Sequence, residues 1–146
     1  MPSCRLIICE KTSHWAAAVR GEMGTHQPQV VEARSLAGCE AVLAESEASL
    51  VAIEITSTNV EAALGFIVRA LRRYPQASVV VLLADEATLV DGLMRETGAI
   101  DVVSSVIEAP RVARLARRQF ALVPQQQVDF REFLAERMPW PAHATA

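Results

Sequence analysis

Residues 50–83 read LVAIEITSTNVEAALGFIVRALRRYPQASVVVLL, two apolar runs flanking a segment of helical spacing. Leu50 to Ile55 and Ser78 to Leu83 are rich in β-branched and aliphatic side chains, the composition of strands covered on both faces. Between them, Asn59 is expected to be the N-cap of a helix over Val60 to Tyr74, and Pro75 stops that helix. A strand, a helix and a second strand make a right-handed crossover, so the two strands are predicted to be parallel.

The same alternation extends in both directions. Toward the N-terminus, Arg5 to Cys9 (RLIIC) is predicted as the first strand, followed by a helix over His14 to Met23 with Ser13 as its N-cap. Gln29 to Ala33 (QVVEA) is a second strand whose polar Gln29 and Glu32 suit a sheet edge, and Ser35 precedes a helix over Leu36 to Ser46. Toward the C-terminus, a helix is predicted over Glu86 to Glu96, with Gly98 where a left-handed residue commonly ends a helix. Asp101 to Ser105 (DVVSS) is the fifth strand. Pro110 then opens a helix to about Leu122 whose Arg111, Arg114, Arg117 and Arg118 form a basic face.

Five strand-then-helix units predict an α/β fold: a doubly wound, five-stranded parallel sheet of order 2-1-3-4-5 with helices on both faces. Residues 1–123 make up this domain. Residues 124–146 are expected to supply a linker at Pro124 and Gln125 to Gln127, an extra C-terminal helix over Val128 to Met138, and a tail. Val128, Phe130, Phe133, Leu134 and Met138 give that helix an apolar face that needs a partner surface, a sheet edge or another chain. In the 2-1-3-4-5 order, the ligand crevice lies at the carboxyl ends of strands 1 and 3, which directs attention to Glu10, Lys11, Glu54, Ile55 and Thr56.

Composition narrows the function classes. The chain has 146 residues, about half of them hydrophobic, enough for one well-buried core. Its 14 basic residues are outnumbered by 17 acidic ones, so no nucleic-acid partner is expected. The basic face after Pro110 is accordingly read as solvated rather than as a phosphate-binding surface. Three cysteines, Cys4, Cys9 and Cys39, without a CxxC pair indicate neither a disulfide framework nor a zinc site. His14, His26 and His143 lack ligand spacing, so no metal is expected. The apolar runs are far shorter than the roughly 20 residues that span a bilayer. Glu10, Lys11 and Thr12 interrupt the N-terminal run, which therefore does not read as a signal peptide, and a cytoplasmic location without membrane attachment is expected. No GxSxG, GxGxxG or P-loop occurs, and no cofactor is expected.

In size, element order and strand ends, the stretch from Arg5 to Val123 resembles the receiver domain of bacterial response regulators. The resemblance implies an acidic pair after strand 1 that holds Mg²⁺, a phosphoacceptor Asp at the end of strand 3, a hydroxyl after strand 4 and a Lys after strand 5. Carried over, the acidic pair falls on Cys9 and Glu10 or on Glu10 and Lys11, the phosphoacceptor on Glu54, the hydroxyl at or next to Leu83, and the Lys on Ser104 or Ser105. A site with one carboxylate beside a cation is poor for Mg²⁺, and phosphoryl transfer without metal, hydroxyl and Lys lacks its electrostatic stabilisation. The expectation is a pseudo-receiver that is not an enzyme and is not phosphorylated. Glu54 has two readings, a strand-end carboxylate paired with Lys11 or a permanent charge in place of a phosphoryl group.

Two functions follow, from different classes. The first is a protein-interaction module of bacterial signalling or regulation. The resemblance implies an interface on the helices before and after the fifth strand, where Asp91, Glu96 and Asp101 would complement Arg111, Arg114 and Arg118 of a second copy, and Trp140 is expected either to pack the tail onto the domain or to anchor a partner. The second is a small-molecule-binding or enzymatic domain using the crevice beside Glu54. An open polar pocket there favours the second, and a crevice filled by Leu83 and the loop after strand 3 favours the first.

Overall fold

The computed structural model describes residues 4–24, 30–46, 48–83 and 96–121. The helix expected over Glu86 to Glu96 lies outside these residues apart from its last position. So do the linker, the C-terminal helix over Val128 to Met138, Asp91 and Trp140.

In chain order the elements are β1 (Arg5–Cys9), α1 (His14–Met23), β2 (Val30–Ala33), α2 (Leu36–Ala44), β3 (Ser49–Ile55), α3 (Val60–Arg73), β4 (Ser78–Leu83) and β5 (Asp101–Val103). A short 3₁₀ turn, Val106–Glu108, leads into α4 (Ala109–Ala121). The five strands form one sheet in the order β2-β1-β3-β4-β5, and every pair is parallel. β5 ends at Val103, so Ser104 and Ser105 leave the sheet, and Ser105 Oγ instead accepts a hydrogen bond from Ile107 N at 3.3 Å at the start of the 3₁₀ turn.

Alternation along the strands divides the core into two layers. Ile7, Cys9, Val51, Ile53, Ile55, Val79, Val81 and Leu83 point to one face, where Cys39 and Leu43 of α2 and Phe66, Ile67 and Ala70 of α3 cover them. Leu6, Ile8, Leu50, Ala52, Val80, Leu82 and Val103 point to the other, under Trp15, Ala16 and Val19 of α1 and Val112, Ala116 and Phe120 of α4. The buried positions of α3 and α4 recur at helical spacing, which is why each presents one stripe to the sheet and its arginines to solvent. Gly98 takes φ +105°, the left-handed conformation expected of it.

Two helix caps differ from expectation. Ser13 precedes α1 but its side chain caps nothing; its hydroxyl accepts a hydrogen bond from Arg34 at 2.8 Å. Asn59 precedes α3 without a side-chain cap, and its amide binds backward, Oδ1 accepting from Thr56 N at 2.7 Å and Nδ2 donating to Glu54 O at 3.0 Å. A short amide side chain can satisfy either the helix or the loop before it, and here the loop wins.

Candidate functional site

Neighbouring β1 and β3 send their following helices to opposite faces of the sheet, and a crevice opens between their carboxyl ends. It holds about 260 Å³ and is lined by Cys9, Glu10, Lys11, Arg34, Ser35, Leu36, Glu54, Thr56 and Asn59. This is where the sequence placed Glu10, Lys11 and Glu54. Leu83 is absent from this lining and packs in the α2–α3 core layer, so the crevice is not filled by it. Among the described residues, neither Ser104 nor Ser105 lines the crevice.

Glu10 follows β1 directly, its N–H donating to Ala33 O at 3.1 Å, and the residue is only 3% exposed. Its carboxylate turns under the first turn of α1, Oε1 accepting from Trp15 N at 3.0 Å and Oε2 from Ala16 N at 2.8 Å. Glu10 is therefore the N-terminal cap of α1, the role expected of Ser13. Both oxygens face amide donors at the positive end of the helix, where a carboxylate is best stabilised.

Lys11 is exposed, and among the described residues no ion pair joins it to Glu54, contrary to one of the two readings of that carboxylate. Glu54 is half-buried, opposite Leu82 of β4 in register. Its carbonyl is held by Asn59, and among the described residues its carboxylate has no hydrogen-bond partner.

Arg34, which the sequence did not single out, organises the rim. One of its guanidinium nitrogens donates to Thr12 O at 2.5 Å and Glu10 O at 3.3 Å, and another to Ser13 Oγ and Glu32 Oε1, both at 2.8 Å. It thus ties the β1–α1 loop to the end of β2. Glu32 also accepts from Arg20 at 2.6 Å, and the Arg20 guanidinium, with Ser13 and Arg34, holds its carboxyl below the usual carboxylate range.

Away from the crevice, Arg111 was expected on a dimer face with Asp101. The two are instead joined within one chain, Nε to Oδ2 and Nη2 to Oδ1 at 2.6 Å each, and Arg111 also reaches Glu108 at 2.8 Å. The Asp101 carboxylate beside it pushes the Arg111 pKa up. Arg117 donates to Glu22 O at the end of α1, at 2.6 Å. Arg114 and Arg118 remain exposed without an ion-pair partner among the described residues.

The geometry has counterparts among solved structures. A response regulator from Thermotoga maritima aligns with a TM-score of 0.69 and 16% identity, over 82% of this chain and 98% of that one. The chain has the fold of a response-regulator receiver domain. A CheY-like protein (TadZ) from Pseudomonas aeruginosa shares the receiver fold at TM-score 0.65 and 19% identity, covering 79% of this chain and 98% of its own. An orphan response regulator from H. pylori does so at 0.63 and 16%, covering 80% and 96%. No protein-family model and no curated protein sequence matches the chain.

The Mg²⁺ site that the receiver fold implies does not fit these residues. A hard divalent cation needs carboxylate oxygens that can turn toward it. Both Glu10 oxygens are committed to amide donors, Lys11 adds a positive charge at the rim, and among the described lining residues Glu54 has the one carboxylate not so committed. Among the described residues, no three His, Cys, Asp or Glu side chains gather as a metal site. Lys11 is the single lysine of the whole chain, so no lysine can stand after β5. Nor is any helix among the described residues long and apolar enough to cross a membrane.

Proposed function

We propose that this domain is a non-catalytic receiver-type module of bacterial signalling or regulation that binds a protein partner and is not phosphorylated. The observation that carries the reading is the engagement of the Glu10 carboxylate as the cap of α1, which commits both of its oxygens to backbone amides at the position where a metal would need them. Glu54 in place of an aspartate and the missing lysine support it from the other two corners of the pocket. Without metal and cation, the charge that develops during phosphoryl transfer has nothing to stabilise it, so no enzymatic role is assigned. The neighbours described as response regulators support the signalling context, and the cytoplasm is the compartment that context implies.

The test is titration of the protein with beryllofluoride and Mg²⁺, followed by amide NMR. No shift is expected at Glu10, Glu54 or Thr56, whereas saturable shifts centred on Glu54 would overturn the reading. A homodimer through exposed Arg114 and Arg118 of α4 is the assembly we propose, tested by light scattering of the wild type and Arg114→Glu. Arg111 and Asp101 are no longer assigned to it, being paired internally.

One observation favours a second reading. The crevice is open beside Glu54 rather than filled by Leu83, which meets part of the condition set above for a ligand pocket, although most of its lining surface is apolar. Its roughly 260 Å³ falls short of the ~300–1,000 Å³ usual for drug-sized ligands, so its occupant would be a small cationic group facing Glu54. Soaking with guanidinium or small alkylammonium ions, read by the same NMR experiment, decides between the two.

A further inference from the structure

The crevice has a thiol in its wall. Cys9 ends β1, is 7% exposed and lines the cavity, while fully buried Cys39 sits one turn into α2, its N–H donating to Ser35 O at 2.9 Å. Cys9 and Cys39 pack in the same core layer, where α2 lies on β1, and each thiol is near enough to shift the other's pKa. Both are in the reduced form, and the third cysteine, Cys4, lies at the opposite end of β1 in the other core layer. Two thiols thus share one core layer, and one of them opens on a cavity wide enough for a small oxidant.

We propose that Cys9 and Cys39 form an oxidisable pair, which hydrogen peroxide entering the crevice converts into an intramolecular disulfide tying the end of β1 to the first turn of α2. Cys9 is the attacking sulfur. Cys9 lines the cavity whereas Cys39 is fully buried behind it, and the neighbouring Cys39 thiol favours the Cys9 thiolate, lowering its pKa, while Cys9 and burial push Cys39 up. The Cys9 thiolate attacks one peroxide oxygen, the O–O bond breaks, and the departing hydroxide takes up the Cys9 proton to leave as water. The Cys39 sulfur then attacks the Cys9 sulfenic acid, and hydroxide departs with the Cys39 proton as a second water. Two thiols are oxidised to one disulfide, and one peroxide is reduced to two waters. Since Ser35 and Leu36 at the start of α2 also line the crevice, the bond fixes the mouth of the cavity.

The experiment treats the folded, full-length chain with micromolar hydrogen peroxide, denatures it in alkylating reagent and maps the peptides by mass spectrometry. Expected are a mass lower by about 2 Da before alkylation, labelling of Cys4 alone, and a Cys9–Cys39 cross-linked peptide that dithiothreitol releases. Cys4→Ser should keep the cross-link, and Cys39→Ser should lose it and leave Cys9 as a trappable sulfenic acid. Labelling of all three cysteines after peroxide, over-oxidation of Cys9 without a cross-link, or disulfides only between chains would overturn the proposal. The wild-type peptide map decides it even where a variant fails to fold.

Discussion

Replacing Glu10 by alanine should destabilise the domain although the residue stands at the rim of the candidate site. The substitution leaves the Trp15 and Ala16 amides, which lie 3.0 and 2.8 Å from the carboxylate, without their acceptor in a buried setting. Hydrogen bonds to a charged group contribute about 1.5–3 kcal/mol each, but a helix cap as a whole is worth about 0.5–2 kcal/mol, because water and relaxation recover part of the loss. Burial of Glu10 places this cap at or above the upper end, so a loss of about 2 kcal/mol is expected, or about 5–10 °C in Tm for a chain of this size. Glu10→Gln retains one acceptor oxygen and should lose about half as much. Urea and thermal denaturation followed by circular dichroism measure both. A Glu10→Ala loss within about 0.5 kcal/mol of zero, the range of ordinary surface substitutions, would refute the capping role. Magnesium gives an internal control. A site with a Kd of about 1 mM would add roughly 1.4 kcal/mol at about 10 mM Mg²⁺ by mass action, and no such gain is expected in the wild type.

Three further outcomes follow from the packing. Arg111→Met should cost about 1 kcal/mol in chemical denaturation, a figure held down by the 40% exposure of the arginine, and an unchanged midpoint would show the pair with Asp101 to be ornamental. Gly98→Ala should cost about 1–2 kcal/mol, since φ is +105° and the new Cβ would lie 2.9 Å from Leu71 Cδ1; a stabilised variant would contradict this backbone. Glu32 has its folded pKa lowered, first by Arg20, so its contribution is present above the unfolded value of about 4.5 and is lost as pH falls through the lower folded value. Glu32→Gln should therefore flatten the acid limb of the stability profile and leave its alkaline limb unchanged, and an effect confined to alkaline pH would reverse the assigned sign.

The sheet was legible in the sequence because strands buried on both faces write themselves as unbroken apolar runs, as in SVVVLL, and helices between them as 3.6-residue stripes. The position of the crevice followed from strand order alone. What was not legible is where side chains turn once they leave the sheet. Glu10 caps a helix that starts several residues later, a contact fixed by the path of residues 11–13 and not by spacing, whereas Ser13 stood in the position where a cap is usually found. Asn59 had the right chemistry for two partners, and only the geometry of the Thr56 to Thr58 turn selects the loop. Arg111 and Asp101 carry opposite charges on different elements, and the sequence cannot distinguish an internal pair from two halves of an interface. Cys9 and Cys39 lie thirty residues apart and meet only through the packing of α2 on β1.

The central claim is a receiver fold without phosphotransfer, and acetyl phosphate tests it most directly. The wild-type protein, incubated with excess acetyl phosphate and Mg²⁺, quenched and read by intact-mass spectrometry, should show the unmodified mass alone at every time point. A hydrolysable phosphoryl adduct on Glu54, lost in Glu54→Gln, would contradict the account.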